Sequence, residues 1–159
     1  MQGNSNEDIK KYNYTWDNLD TDVVRILRNN PEINNKNFNL IVGVGSGGLS
    51  FMVKLSKELE IGYEIIKCHN YDGKKGIELK IDALPNKSKI KEKDILLVDD
   101  LCDNGVTLSN AKDKLLEKGA KSIKTVALCY KPHSIYKPDF YAREVLNEEV
   151  VIFPWEKDE

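Results

Sequence analysis

Residues 94–119, DILLVDDLCDNGVTLSNAKDKLLEKG, restrict the possible folds more than any other stretch. Ile95, Leu96, Leu97 and Val98 form an apolar run too short for a helix and too uniform for a strand wetted on one side, so they read as a strand covered on both faces. Asp99 and Asp100 then emerge at its carboxyl end. Leu108, Ala111, Leu115 and Leu116 recur at helical spacing, and Gly119 supplies the stop. The loop between, residues 102–107, has to turn sharply, and Gly105 permits backbone angles that other residues resist. Free N–H groups and the helix dipole at the start of the helix favour an anion such as phosphate in that loop. Two carboxylates beside a phosphate cradle make sense when one molecule needs both, and a phosphorylated sugar does. Its hydroxyls donate to Asp99 and Asp100, and its phosphate takes the backbone N–H groups and the Thr107 hydroxyl. The plainer alternative is a pair of solvated acids and a helix capped by Asp103 or Thr107.

The same strand, loop and helix order occurs earlier. FNLIVGV at 38–44 is a second buried-type strand, residues 45–48 are Gly, Ser, Gly and Gly, and Leu49, Met52, Val53 and Leu59 mark a helix. Upstream, TWDNLDTDVVRILRNN places Trp16, Leu19, Val23, Ile26 and Leu27 on one helical face, closed by Pro31. Residues 62–69 form a third strand that leads into NYDGKKG at 70–76, a mobile flap or a plain hairpin tip, and then into an alternating strand at 77–81. A basic loop spans 84–94, and residues 122–130 are a further strand with Lys131 and Pro132 at its exit. Extended pieces follow at 139–145 and 150–155, and the polar residues 1–12 are expected to be loose. Strands alternating with helices predict an α/β fold: a parallel open sheet flanked by helices, with a small hood built from the two chain ends, in one domain spanning 1–159. Right-handed crossovers then bring the glycine loop, the acidic loop and Lys131 to one edge.

Composition removes other classes. With 159 residues, 40% of them hydrophobic, the chain can bury an ordinary core. A net charge of -2 gives no basic surface for nucleic acid. No run approaches the roughly 20 apolar residues that span a bilayer, and the N-terminus lacks a signal-peptide core, so a cytoplasmic protein is expected. Cys68, Cys102 and Cys129 are an odd, dispersed set, better read as small buried residues than as a disulfide framework.

The motif ILLVDDLCDNGVT at 95–107 resembles the signature of the type I phosphoribosyltransferases: an apolar strand, two acids and a D-T-G-x-T loop. The chain is most similar to their xanthine-guanine and hypoxanthine-guanine branches. YTWDNL, IVGVGSGGL, LSKELEI, YDGKKGIELK, YKP and FPWE follow one another in that family's order. The resemblance implies transfer of a phosphoribosyl group from 5-phosphoribosyl 1-diphosphate, held with Mg2+, to a purine base, and a homo-oligomer, dimer or tetramer. It implies that Asp99 and Asp100 hold the ribose hydroxyls, directly or through the metal. Asp103, Asn104, Gly105, Val106 and Thr107 would hold the 5′-phosphate, with Asp103 also close to N7 of the base. Ser46, Gly47 and Gly48 would meet pyrophosphate, and Lys131 would donate to the oxygen on C6. Val151, through its backbone, would read the other edge of the base, Val150 would lie over its face, and Tyr71, Lys74 and Lys75 would form a closing flap. Ser46 stands where the family usually has Arg or Lys, with Lys74 and Lys75 as candidate replacements. Asn104 stands for the signature Thr, Val106 for its Gly or Arg, and Val150 for an aromatic ring. These departures keep a second reading open, a nucleotide or ribosyl-diphosphate sensor on the same fold.

Overall fold

The computed structural model describes residues 8–157. Eight strands and four helices follow in the order β1 (Lys11–Asn13), α1 (Trp16–Asn29), β2 (Leu40–Gly45), α2 (Leu49–Leu59), β3 (Tyr63–Gly73), β4 (Gly76–Ala83), α3 (Lys87–Ile90), β5 (Asp94–Cys102), α4 (Val106–Glu117), β6 (Ser122–Tyr130), β7 (Phe140–Glu144) and β8 (Val150–Ile152). The main sheet has the order β4-β3-β2-β5-β6-β7. All its pairings are parallel except β3 with β4, an antiparallel hairpin at the edge. The expected α/β sheet flanked by helices is what forms.

Side-chain alternation along the central strands builds two cores. Leu96 and Val98 of β5 join Phe51, Met52, Leu55, Val23 and Ile26 of α1 and α2 on one face. Ile95 and Leu97 join Leu108, Ala111 and Leu115 of α4 on the other. The two-residue period of a strand buried on both sides makes the apolar run continuous in sequence. Thr15 caps α1 through a reciprocal capping box with Asn18, which satisfies two N–H groups at that end.

Four sequence expectations need adjustment. Trp16 is 54% exposed, because it begins α1 at the hood and packs on the Trp155 ring at 5.5 Å between centroids. The basic stretch 84–94 contains the short helix α3, whose Ile90 is wholly buried in the second core. Residues 70–73 and 76 extend a hairpin whose register is regular from Cys68↔Ile81 to Gly73↔Gly76, after a shift between Lys67 and Cys68, with Lys74 and Lys75 at its tip. Of the segment 1–12, residues 1–7 lie outside the described residues, whereas Lys11 and Tyr12 are not loose. They belong to β1, which pairs in parallel with β8 in the two-stranded hood. None of the described helices is long and apolar enough to cross a membrane.

Candidate functional site

Because β2, β5 and β6 run parallel, their carboxyl ends open on one edge of the sheet, where ligands of such folds bind. A cavity of about 1220 Å³ lies there, walled by the turns after β2 and β5, by β3 and β4, and by β8 and Trp155 of the hood. That exceeds the usual size of a pocket for one small molecule, about 300–1,000 Å³.

The acid pair forms the floor. β5 continues through Cys102, so Asp99 and Asp100 lie within the strand, not past its end, and they are only 7% and 9% exposed. Asp100 donates its N–H to Asp99 Oδ1 at 2.9 Å, and Leu101 donates its own to Asp100 Oδ1 at 2.7 Å. The indole Nε1 of Trp155, 55 residues onward, donates to Asp100 Oδ2 at 3.2 Å. Burial, and then the neighbouring Asp100 carboxylate, hold the Asp99 carboxyl well above the usual carboxylate range, against the opposing backbone bond.

The turn after β2 rests directly on this floor. A Cβ added to Gly47 would stand 2.6 Å from Asp100 Oδ2, and one added to Gly48 would stand 2.8 Å from the Val98 carbonyl oxygen and 2.9 Å from that of Val44. Only glycine fits so near a neighbouring strand. The Gly45–Ser46 peptide is cis, and Ser46 and Gly47 line the cavity.

The turn after β5 is built differently. α4 starts at Val106, and neither Asp103 nor Thr107 caps it. The N-cap is Gly105, at φ +83°, with no side-chain hydrogen bond. Asn104 Oδ1 accepts the Val106 N–H at 2.9 Å, and Gly105 and Thr107 line the cavity. A side chain at 105 would overlap Ser134 Oγ and approach the Tyr136 nitrogen to 2.7 Å, so the β6 exit packs against the back of the loop.

Asp103 also lines the cavity, with Oδ1 2.6 Å from His133 Nε2 and Oδ2 3.4 Å from Lys131 Nζ. Lys131 is 6% exposed and stands behind Asp103 rather than on the cavity wall. Val150 is 46% exposed and lines the cavity, whereas the Val151 side chain is buried in the core beneath the hood. Tyr71 does not line the cavity, its hydroxyl donating to Glu78 at 2.6 Å. Asn70, Ile77 and Leu79 line the cavity from the hairpin, while Lys74 and Lys75 remain at the tip.

Sequence reasoning assigned no role to His133 or Trp155. His133 sits two residues past Lys131, a spacing with no signal of its own, and Trp155 stood out only as part of FPWE. Burial pushes the Cys68 thiol up to about 11 and the Cys129 thiol up to about 12, so neither is a thiolate nucleophile near neutrality. Among the described residues no cluster of three or more His, Cys, Asp or Glu could hold a metal. Asp99 and Asp100 therefore suit a hard cation that takes its remaining oxygens from a bound ligand, and a positive charge there would offset the burial of two adjacent acids.

The phosphoribosyl transferase domain family matches residues 15–158. The chain is 29% identical to the hypoxanthine-guanine phosphoribosyltransferase of Lactococcus lactis, over 89% of this chain and 88% of that protein. It is 34% identical to the enzyme of the same name from Bacillus subtilis, over 72% of this chain and 67% of that one. The crystal structure of a purine phosphoribosyltransferase from Pyrococcus horikoshii superposes with a TM-score of 0.80 at 30% identity, covering 94% of this chain and 97% of that chain.

Proposed function

The chain belongs to the phosphoribosyl transferase family, and we propose that it transfers the 5-phosphoribosyl group of 5-phosphoribosyl 1-diphosphate to a 6-oxopurine, guanine, xanthine or hypoxanthine, releasing pyrophosphate in purine salvage. The observation that carries the reading is the cavity in which a buried acid pair, the glycine start of α4 and Asp103, with Lys131 behind it, share one edge.

The roles follow from the donors and acceptors present. The N–H groups of Thr107 and Leu108 in the first turn of α4 and the Thr107 hydroxyl take the 5′-phosphate, with the helix dipole adding to the attraction and the Val106 N–H held by Asn104. Asp99 and Asp100 accept hydrogen bonds from the ribose hydroxyls and face the positive charge that develops at the anomeric carbon. Backbone N–H groups of Ser46 and Gly47 meet the leaving diphosphate, while the Gly48 N–H is held by the Val44 carbonyl at 2.8 Å. Asp99 and Asp100 would hold Mg2+, which would supply neutralising charge to that leaving group. At the reacting centre N9 of the purine bonds to C1, the C1–O bond breaks, and its electron pair departs with pyrophosphate. The proton on N7 passes to Asp103. Lys131, buried behind Asp103, supplies the positive charge on the base side of the cavity that favours an oxygen on C6. Val150 offers the base an aliphatic face, and the Val151 backbone reads its far edge. Closure of the β3–β4 hairpin, whose inner residues face the cavity, excludes water from the reactive sugar.

The reading extends to a cytoplasmic homodimer or homotetramer, where light scattering gives the number. The decisive experiment incubates the protein with 5-phosphoribosyl 1-diphosphate, Mg2+ and each of guanine, xanthine, hypoxanthine, adenine and uracil, then separates the products. Nucleoside monophosphate from a 6-oxopurine is the expected result. Nucleotide binding with no product from any of the bases overturns it and marks a sensor on the same fold.

A further inference from the structure

The transfer reaction as read above leaves His133 without a task, yet this imidazole makes one of the shortest contacts at the site. Its Nε2 lies 2.6 Å from Asp103 Oδ1, while Asp103 Oδ2 faces Lys131 Nζ at 3.4 Å. The Asp103 carboxylate is therefore held on one oxygen by a titratable group and turned on the other toward a permanent cation. A carboxylate only accepts, so the neutral imidazole has to carry its proton on Nε2 and leave Nδ1 bare.

The position of His133 is set by the chain around it. Its backbone N–H donates to Asn147 Oδ1 at 3.1 Å, and the Ser134 N–H donates to the Lys131 carbonyl at 3.0 Å, which closes a tight turn at the exit of β6. From across the loop the Ile135 N–H donates to the Asn104 carbonyl at 3.0 Å, tying this turn to the loop that carries Asp103. Asp103 from the β5–α4 loop faces the imidazole, Lys131 from its own segment stands at the far oxygen of that carboxylate, and the uncharged Asn147, between β7 and β8, bonds the His133 backbone. Its side chain is 42% exposed, so solvent protons reach it.

We propose that His133 is the positioning residue for Asp103 and the pH switch of its basicity. In the neutral form, Nε2–H holds Oδ1 and leaves Oδ2, the oxygen on the Lys131 side, to take the N7 proton of the purine. When Nδ1 takes a proton from solvent, two cations bracket one carboxylate. The anion is then held too firmly to act as a base, since an adjacent positive charge favours the ionised form. Loss of that proton to solvent restores the base. The proposal rests on the reading of Asp103 as the acceptor of the N7 proton.

The test measures kcat/KM for hypoxanthine, at saturating 5-phosphoribosyl 1-diphosphate and Mg2+, from about pH 5.5 to 8.5, the range in which imidazoles titrate. Wild type, His133→Gln, His133→Ala and Asp103→Asn are compared. Substrate ionisations are common to all four and cancel in the ratios. His133→Gln keeps a donor for Oδ1 but cannot titrate. It is expected to retain most of the neutral-pH turnover and to lose the acid limb, so its ratio to wild type climbs as pH falls, by about tenfold per unit below the imidazole transition. His133→Ala loses the donor and drops kcat by about tenfold or more with little change in KM for hypoxanthine. A His133→Gln profile that parallels wild type at every pH overturns the inference while Asp103→Asn remains inactive. An Asp103→Asn enzyme with full turnover, or a wild type that makes no product from hypoxanthine, instead brings down the reading beneath it and this inference with it.

Discussion

After β2 the chain enters α2 through residues 45–48, and after β5 it enters α4 through residues 103–105. Both helices begin at a glycine whose own position lacks a side-chain cap, but the Gly48 N–H donates to the Val44 carbonyl at 2.8 Å and the Val106 N–H to Asn104 Oδ1 at 2.9 Å. They use glycine for different reasons. Gly48 has an ordinary φ of -79° and is needed because the turn lies against the Val98 and Val44 carbonyls. Gly105 is needed for its φ of +83° as well as for the space taken by Ser134 and Tyr136. The first turn packs inward and contains no charged side chain. The second leans on the β6 exit and carries Asp103, with Lys131 and His133 at its two oxygens. One turn is thus a backbone surface held by packing, and the other is a chemical group held by polar contacts.

If that division is right, substitutions in the two turns separate activity from stability. The largest expected effect is Asp103→Asn, which removes the proton acceptor and lowers kcat/KM by about 10²–10⁴-fold, the usual worth of a general base. Its thermal midpoint moves little, because Asp103 is half-exposed and such pairs contribute about 0–1 kcal/mol. Gly48→Ala is the converse. Its new Cβ meets backbone that cannot step aside, and about 2–3 kcal/mol of stability is lost. Urea unfolding of the two variants beside wild type checks the pair. An Asp103→Asn protein as unstable as Gly48→Ala erases the distinction.

The difference between the turns also explains what could be read in the sequence. A strand buried on both faces, two acids, a glycine and an amphipathic helix are consecutive in residues 94–119, so their geometry follows from neighbours in the chain. The family resemblance came from the same contiguous segments. Contacts closed by distant partners left no such trace. Lys11 and Tyr12 look like a loose tail until β8, near the other end, gives them a ladder. Trp155 belongs to the acid floor only because the hood folds over it, and Asp22, unremarkable on an amphipathic helix, is fully buried with bonds from Tyr14 and Arg143. Tyr71 was placed by its neighbours in sequence, but its hydroxyl is spent on Glu78 across the hairpin and it does not line the cavity.

The acid floor beneath the first turn makes a weaker but more unusual prediction. Asp99 has its pKa raised in the folded chain, so the native state binds a proton more tightly than the unfolded chain does. Stability of the ligand-free protein therefore falls as pH climbs from the ordinary carboxylate value through the folded one, and the loss is absent below that window. Asp99→Asn removes the slope and raises the urea midpoint at neutral pH, while added 5-phosphoribosyl 1-diphosphate with Mg2+ stabilises it less than wild type. Equal midpoints for the two proteins at about pH 4 and again at about pH 7 would contradict the burial argument.

The smallest effect sharpens the comparison most. Trp155→Phe deletes the indole donor to Asp100 Oδ2 and leaves an aromatic ring to stack on Phe153, whose centroid is 4.9 Å away at 14° between planes. Asp100 keeps the Leu101 N–H on Oδ1 and loses at a cost of about 1 kcal/mol the indole donor to Oδ2. That oxygen is the same one against which Gly47 packs, so the freed carboxylate disturbs the first turn and the sugar-facing floor together. KM for 5-phosphoribosyl 1-diphosphate should rise by about fivefold, the equivalent of that energy, with KM for the purine unchanged. A rise confined to the purine KM would mean that the hood acts through Val150 at the base and that the first turn stands without it.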